Sequence, residues 1–254
     1  MFFGAATATA QLSSFGVLGG STVTNTGPTI VNGSLGVSPG SAVTGFPPGI
    51  VSNGAIHSAD AGATQAQTEL TAVYNQLANS ICNTDLTGQD LGGLTLTPGV
   101  YCFSNSAQLT GTLTLDALGN PNAGFIFKIG STLTTASASS VLLINSAGSC
   151  GVFWQVGSSA TLGTGTALAG SVVALSSITL NTGASASGRV LARNGAVTLD
   201  TNQVTFCSGG GTGVLPPPPQ TASGVPAMSL PVLAALALLL AGLGAFLVRE
   251  AQAF

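Results

Sequence analysis

Through the second half of the chain, apolar residues alternate with threonine and serine in short bursts punctuated by Gly, Asn and Ser. The bursts return at a regular interval. SATLGTGTALAGSVVA from Ser159 comes back as SITLNTGASASGRVLA from Ser177 and in part as AVTLDTNQVTF from Ala196, a period of about 18 residues. Thr161, Thr179 and Thr198 fall in one column, Leu162, Leu180 and Leu199 in the next, and Thr164, Thr182 and Thr201 two positions on. A weaker copy upstream, FIFKIGSTLTTAS from Phe125, places Leu133 and Thr135 in the same columns. Short strands repeating at this length predict stacked coils, a parallel β-solenoid. The two-residue period of a strand turns the leucine column inward and Thr161, Thr179 and Thr198 outward.

The pairs Val172/Val173 and Val190/Leu191 are apolar on both faces of their strands, which implies that one outer side of the solenoid is covered. A cover is available. From about Ser52 to Ser80, Ala59, Ala63, Ala66, Leu70, Val73 and Leu77 recur at spacings of four and three, the single apolar stripe of a helix. Asn53 is placed to cap its start, Asp60 falls in an early turn where the helix dipole favours an anion, and His57 lies at its beginning. A structural hydrogen bond is the expected role of that histidine.

Composition narrows what such a fold could do. The chain of 254 residues has four Lys and Arg against seven Asp and Glu, 4% charged, while 45% is hydrophobic. It can bury a core, so it is not a disordered chain. Four dispersed cations leave no basic stripe for phosphates, which excludes a nucleic-acid partner. With one histidine and scattered acids, no acid–base pair or ligand cluster is expected, so the reading is a non-enzyme without metal or cofactor. The paired carboxylates that a polysaccharide-cleaving β-helix would carry on repeated rungs are missing from the sequence.

The two ends read differently from the middle. Residues 1–12 begin MFFGAATATAQ, and Ala8-Thr9-Ala10 fits the small-residue pattern before an export cleavage point, so this stretch is expected to be a signal-peptide remnant. Residues 13–207 form the solenoid domain, 208–229 a Gly/Pro-rich linker containing Pro216 to Pro219, and 230–254 a hydrophobic tail. Within the tail, Val232 to Val248 is an uncharged apolar run at the lower limit for a bilayer core of roughly 30 Å. The tail VPAMSLPVLAALALLLAGLGAFLVRE resembles the IPTL-type sorting signals of Gram-negative bacteria, with the usual arginine cluster reduced to Arg249. That resemblance implies export, a secreted or cell-surface location, and contact with the membrane or sorting machinery before processing. Four cysteines without a CxxC pair suit disulfides in an exported protein. Three pairings are open, and the expected one joins Cys82 to Cys102, pinning the helix end to the next strand, and Cys150 to Cys207.

Several long segments, in order, resemble the microbial ice-binding family: SSFGVLGGSTVTNTGPTIVNGSLGVSPGSAVTGFPPG from Ser13, HSADAGATQAQTELTAVYNQLA from His57, LTPGVYCF from Leu96 and SITLNTGASASGRVLARNGAVTLDTN from Ser177. The resemblance implies a right-handed discontinuous parallel β-solenoid with one long helix packed alongside. It also implies an ice crystal as the partner, bound by a flat Thr/Ser-rich face, with no catalysis. Family members carry a T-A/G-X-T/N pattern on that face. Thr26-Gly27-Pro28-Thr29 fits it, Thr182-Gly183-Ala184-Ser185 fits with Ser for the last Thr, and Thr164-Gly165-Thr166-Ala167 and Thr135-Ala136-Ser137-Ala138 fit in part.

Two candidate faces follow. One set comprises Thr26, Thr29, Thr135, Thr164, Thr166, Thr182, Ser185 and Thr201; the other comprises Thr161, Thr179 and Thr198. A threonine suits either, since its hydroxyl can join a water lattice, its methyl restricts neighbouring waters, and its branched Cβ limits rotamers. The expected form is a monomer, and the competing expectation is a surface adhesin or matrix protein.

Overall fold

A computed structural model describes residues 11–205. The expected signal remnant except Gln11 and Leu12, the linker, the hydrophobic tail and Cys207 lie outside the described residues.

Bursts of alternating residues become strands because each turn of the backbone lays down three of them, as in Phe125–Ile129, Leu133–Thr135 and Ser140–Ile144. Neighbouring strands pair in parallel, so the coils stack into sheets of nine, seven and eight strands around one core. Inside, Tyr101, Phe127 and Trp154 occupy one row and stack, with Phe127 and Trp154 centroids 4.0 Å apart and nearly parallel. The row continues as Val172, Val190, Val17 and Leu35, so the interior narrows from aromatic to aliphatic. Trp154 is fully buried, and its indole N–H donates to the Ala169 carbonyl at 2.9 Å, satisfying the one polar group it carries inside.

The solenoid is discontinuous, as the resemblance implies. Phe15–Gly19 lies between Val190–Ala192 and Ser34–Val37, with Val17 opposite Val190 and Leu18 opposite Leu191. The amino-terminal coils therefore stack on the last carboxyl-terminal coil. Helix α1, Ala61–Ala78, then carries the backbone back across the nine-stranded sheet to Thr84–Asp85 at its far edge, covering about 27 Å at 1.5 Å per residue.

Ala66, Leu70, Val73, Tyr74 and Leu77 of α1 bury against Phe15, Leu18, Phe153, Val173 and Leu191, which explains the strands that are apolar on both faces. Polar ties flank this contact. Gln67 donates to the Ala192 carbonyl at 3.2 Å, Arg193 donates to Thr71 Oγ1 at 3.1 Å, and Lys128 reaches the Ser80 carbonyl at 3.3 Å beyond the helix end. Buried Glu69 accepts from the Leu12 N–H at 2.8 Å and so seats Leu12 on the helix.

The helix starts later than the stripe suggests. Ile50–Ser52 and Ile56–Ser58 are strands of the terminal coil, because there Ile, Val and Ser can pair with the preceding coil. Ala59 is thus outside the helix, and Asn53 sits in a turn at φ 57° rather than at the cap. Asp60 is the N-cap, accepting from Ala63 N–H at 2.8 Å and meeting His57 Nδ1 at 2.8 Å. His57 lies on Ile56–Ser58, with its ring 5.2 Å from that of Phe15.

The bond from Ala63 N–H, followed by the one with His57, holds the Asp60 carboxyl below its ordinary 3.8. An acid depressed in the folded state stabilises above its unfolded pKa and loses that contribution as pH falls through the folded one. Asp60→Ala is expected to cost about 1 kcal/mol near neutral pH. In urea unfolding, the gap to the parent should shrink once pH drops below 3.8; a gap that stays constant into strong acid would contradict the assignment.

Candidate functional site

Of the three sheets, the seven-stranded one is uncovered and repeats threonine on its outer face in six of its seven strands. Gln108, Thr134, Thr161, Thr179, Thr198, Thr24 and Thr44 stand opposite one another in consecutive strands. Neighbours in this ladder are separated by the strand spacing, so it spans roughly 29 Å. Beside it, about 7 Å away along the strands, runs a second column of small residues. Backbone bonds from Ala107 to Thr132, Leu133 to Ser159, Ala160 to Ser177 and Ile178 to Ala196 stack these positions, and Thr22 stands opposite Ala42. Both columns reach solvent and neither contains a charged residue.

This regularity comes from the inward residues between the outward ones. Val23, Leu109, Leu133, Leu162, Ile178, Leu180, Val197 and Leu199 are buried, so every second side chain is locked into the core and its neighbour must face out. Branched threonines on a pleated, hydrogen-bonded sheet have few rotamers to lose on contact with a solid. Few positions need reordering.

The other sheets are unsuited to such a role. The nine-stranded sheet lies under α1. The eight-stranded sheet presents Ile30, Gln203, Ser185, Ala167, Ser140 and Thr112 in one row, with Ile50 58% and Leu142 51% exposed above a trough over Ala167, Ala169, Ser185 and Ser187. It is neither flat nor uniform. Lys128 is tied to the Ser80 carbonyl just past α1, Arg193 to Thr71 on the helix, and Arg189 donates to the Ser13 carbonyl at 3.2 Å, all away from the threonine ladder.

The first candidate set maps to the corner between the seven- and eight-stranded sheets and splits by direction. Thr26, Thr164, Thr182 and Thr201 are exposed on the corner, and Ser185 is half-buried at the start of the next strand. Thr29, Thr135 and Thr166 are buried and cannot meet a surface. Turning a corner breaks the strand ladder, so buried backbone groups there need other partners, and these side chains supply them. Thr135 accepts from Gly163 N–H at 2.8 Å and pairs with Thr166 at 2.7 Å; Thr29 accepts from Asn202 N–H at 2.9 Å. Asn202 in turn donates to the carbonyls of Asn181 and Ala184. The glycine in the T-G pairs has a separate cause, since Gly27, Gly165 and Gly183 take φ of 67° to 79° as the backbone bends. The motif thus describes a corner at least as much as a face.

Thr161, Thr179 and Thr198, the second set, fall within the ladder. Sequence reasoning missed Thr24, Thr44, Thr134 and Gln108 beside them. The weaker repeat is shifted by two residues from the columns predicted for it: Leu133 pairs with Ala160 rather than Leu162, and Thr134 with Thr161, so Thr134 faces outward and Thr135 turns inward. The alternation in TVTNT from Thr22 was the available signal for Thr24. Asp200, at the rim, accepts from the hydroxyls of Thr182 and Thr201, which occupy its carboxylate oxygens.

Cys82 and Cys102 form a disulfide with Cα atoms 5.9 Å apart, linking the segment after α1 to Gly99–Phe103. Cys150 is disulfide-bonded as well, and its expected partner Cys207 lies outside the described residues. Among the described residues no group of His, Cys, Asp and Glu could hold a metal ion.

Comparison with known proteins places this geometry. The family model described as ice-binding-like matches residues 17–205. An ice-binding protein of Nostoc sp. strain HG1 is 57% identical over 194 residues, which cover 76% of this chain and 71% of the relative. Ice-binding protein 1 of Shewanella frigidimarina strain NCIMB 400 is 38% identical over 146 residues, 56% of this chain but 16% of that much longer protein. Among solved structures, an ice-binding protein from an Antarctic biological consortium superposes with a TM-score of 0.75 at 46% identity, over 78% of this chain and 90% of the other. One from the ascomycete Antarctomyces psychrotrophicus gives 0.75 at 40%, over 78% and 97%.

Proposed function

This chain belongs to the ice-binding-like family, and from that premise we propose that it adsorbs to ice through the seven-stranded sheet and so arrests growth and recrystallisation. The observation that carries the reading is the continuous, uncharged ladder of Thr134, Thr161, Thr179, Thr198, Thr24 and Thr44 on the one uncovered regular sheet. Charged groups would hold hydration shells of their own; hydroxyls and methyls at a fixed repeat let boundary water take up an ordered arrangement. Each contact is weak, and many rigid contacts made together give long residence, as in any multivalent attachment.

The Thr26, Thr164, Thr182 and Thr201 corner borders that plane and contributes secondarily. Catalysis is not part of the reading, since the relatives are named for ice binding. We further propose that the protein acts outside the cell as a monomer, delivered by its hydrophobic tail through a membrane-associated sorting step. The function is tested by growing ice slowly in a solution of the protein and measuring what enters the solid, together with thermal hysteresis and single-crystal shaping. Enrichment in ice and faceted crystals are expected. A protein that stays in the liquid while crystals grow unshaped would refute ice binding and leave the adhesin reading.

A further inference from the structure

Asparagine followed by glycine occurs three times, at Asn32, Asn53 and Asn194, and the fold treats the three differently. Such a pair can cyclise. The glycine nitrogen attacks Cγ of the asparagine, the new C–N bond closes a succinimide, and the bond from Cγ to Nδ2 breaks, releasing ammonia that takes up the amide proton. Water then opens either carbonyl of the ring, leaving aspartate or isoaspartate. The step needs an accessible asparagine amide and a glycine nitrogen free to move.

Gly33 N–H donates to the Ser52 carbonyl at 2.7 Å, and Gly195 N–H donates to the Ser176 carbonyl at 3.1 Å. Each bond ties the would-be nucleophile into the stack of coils. Gly54 N–H meets no acceptor among the described residues, and both Asn53 and Gly54 are exposed. The Asn53 amide has one contact, a 3.3 Å bond to Asn32 Oδ1. Nor can the turn easily exchange its glycine for a residue that would hinder ring closure: a Cβ on Gly54 would lie 2.3 Å from Ser34 N and 2.4 Å from the Gly33 carbonyl carbon. The close approach of two coils keeps in place the residue that favours cyclisation.

We propose that Asn53 is a site of spontaneous conversion to aspartate and isoaspartate, with water as co-reactant, while Asn32 and Asn194 are protected by their neighbours' hydrogen bonds. The product places a carboxylate against Asn32 Oδ1, itself an acceptor, and isoaspartate lengthens the backbone between Ile50–Ser52 and Ile56–Ser58. The change falls in the terminal coil, ahead of the Asp60 cap and outside the threonine ladder.

The test is to age the full-length protein at mildly alkaline pH, digest it, and follow amide-to-acid conversion in the three peptides by mass spectrometry, with isoaspartyl methyltransferase labelling of the intact protein. Folded, the Asn53 peptide is expected to convert about tenfold faster than the other two, equivalent to about 1.4 kcal/mol, the order of one broken hydrogen bond. In urea the three should converge. Asn53→Gln should remove most of the methyl-accepting product. Equal rates in the folded protein, or undiminished product in Asn53→Gln, would overturn the proposal.

Discussion

Thr179→Tyr is expected to abolish most of the thermal hysteresis, a drop of about tenfold, while the free energy of unfolding changes by less than about 0.5 kcal/mol. Thr179 is half-buried in the middle of the ladder, with Thr161 on one side and Thr198 on the other. A phenol ring there stands above neighbours one strand spacing away, so the plane meets a crystal at a single raised point. Simultaneous engagement is lost, and the gain from multivalency goes with it. Thr182→Tyr, on the exposed corner, should cost much less because it overhangs the rim. The comparison uses folded variants at matched concentration, checked by circular dichroism. Should Thr182→Tyr prove the more damaging of the two, the corner rather than the ladder would be the adsorbing surface.

The largest expected loss of stability is at Trp154→Ala. Removing a fully buried indole stacked 4.0 Å from Phe127 costs about 3–5 kcal/mol in lost transfer energy and cavity. The Ala169 carbonyl, which accepts from the indole N–H, loses that partner and adds roughly 1–3 kcal/mol unless water reaches it. Trp154→Phe keeps a ring in the stack and should lose much less. Urea titrations of the two variants separate these effects, and coincident midpoints would show that the aromatic row is not what supports this end of the core. Because Trp154 points inward from the nine-stranded sheet, hysteresis per folded molecule should survive both changes.

Much of this architecture was legible because a repeat aligns itself. Thr161, Thr179 and Thr198 lie in adjacent coils of nearly equal length, so periodicity alone put them on one face. Thr24 and Thr44 were hidden because the amino-terminal coils join the same sheet through space, beside residues from the far end of the sequence. No local period carries that information. At Thr134-Thr135 two identical residues made inward and outward positions indistinguishable by type, and a one-residue slip exchanges them. Thr29 and Thr166 show a different limit. Hydrophilic side chains read as solvent-facing in sequence, yet corners must satisfy buried backbone groups and recruit small hydroxyls to do so. The helix was recognisable from Ala63, Ala66, Leu70, Val73 and Leu77, but its start was not. Ile50 to Ser58 is too short and mixed to reveal two strands until the coil they complete is in place.

The junction at which the amino-terminal coils meet the last carboxyl-terminal one also sets a timetable for biosynthesis. Thr24 and Thr198 touch across it, 174 residues apart in sequence, so at about 5–20 residues per second the ribosome needs roughly 9–35 s to deliver the second after the first. Until then the early coils have unpaired strand edges and no neighbour on which to seat. A polypeptide released before residues 190–205 would leave those coils without their docking surface instead of yielding a shorter solenoid. Synthesis of residues 190–205 therefore gates assembly of the full threonine plane.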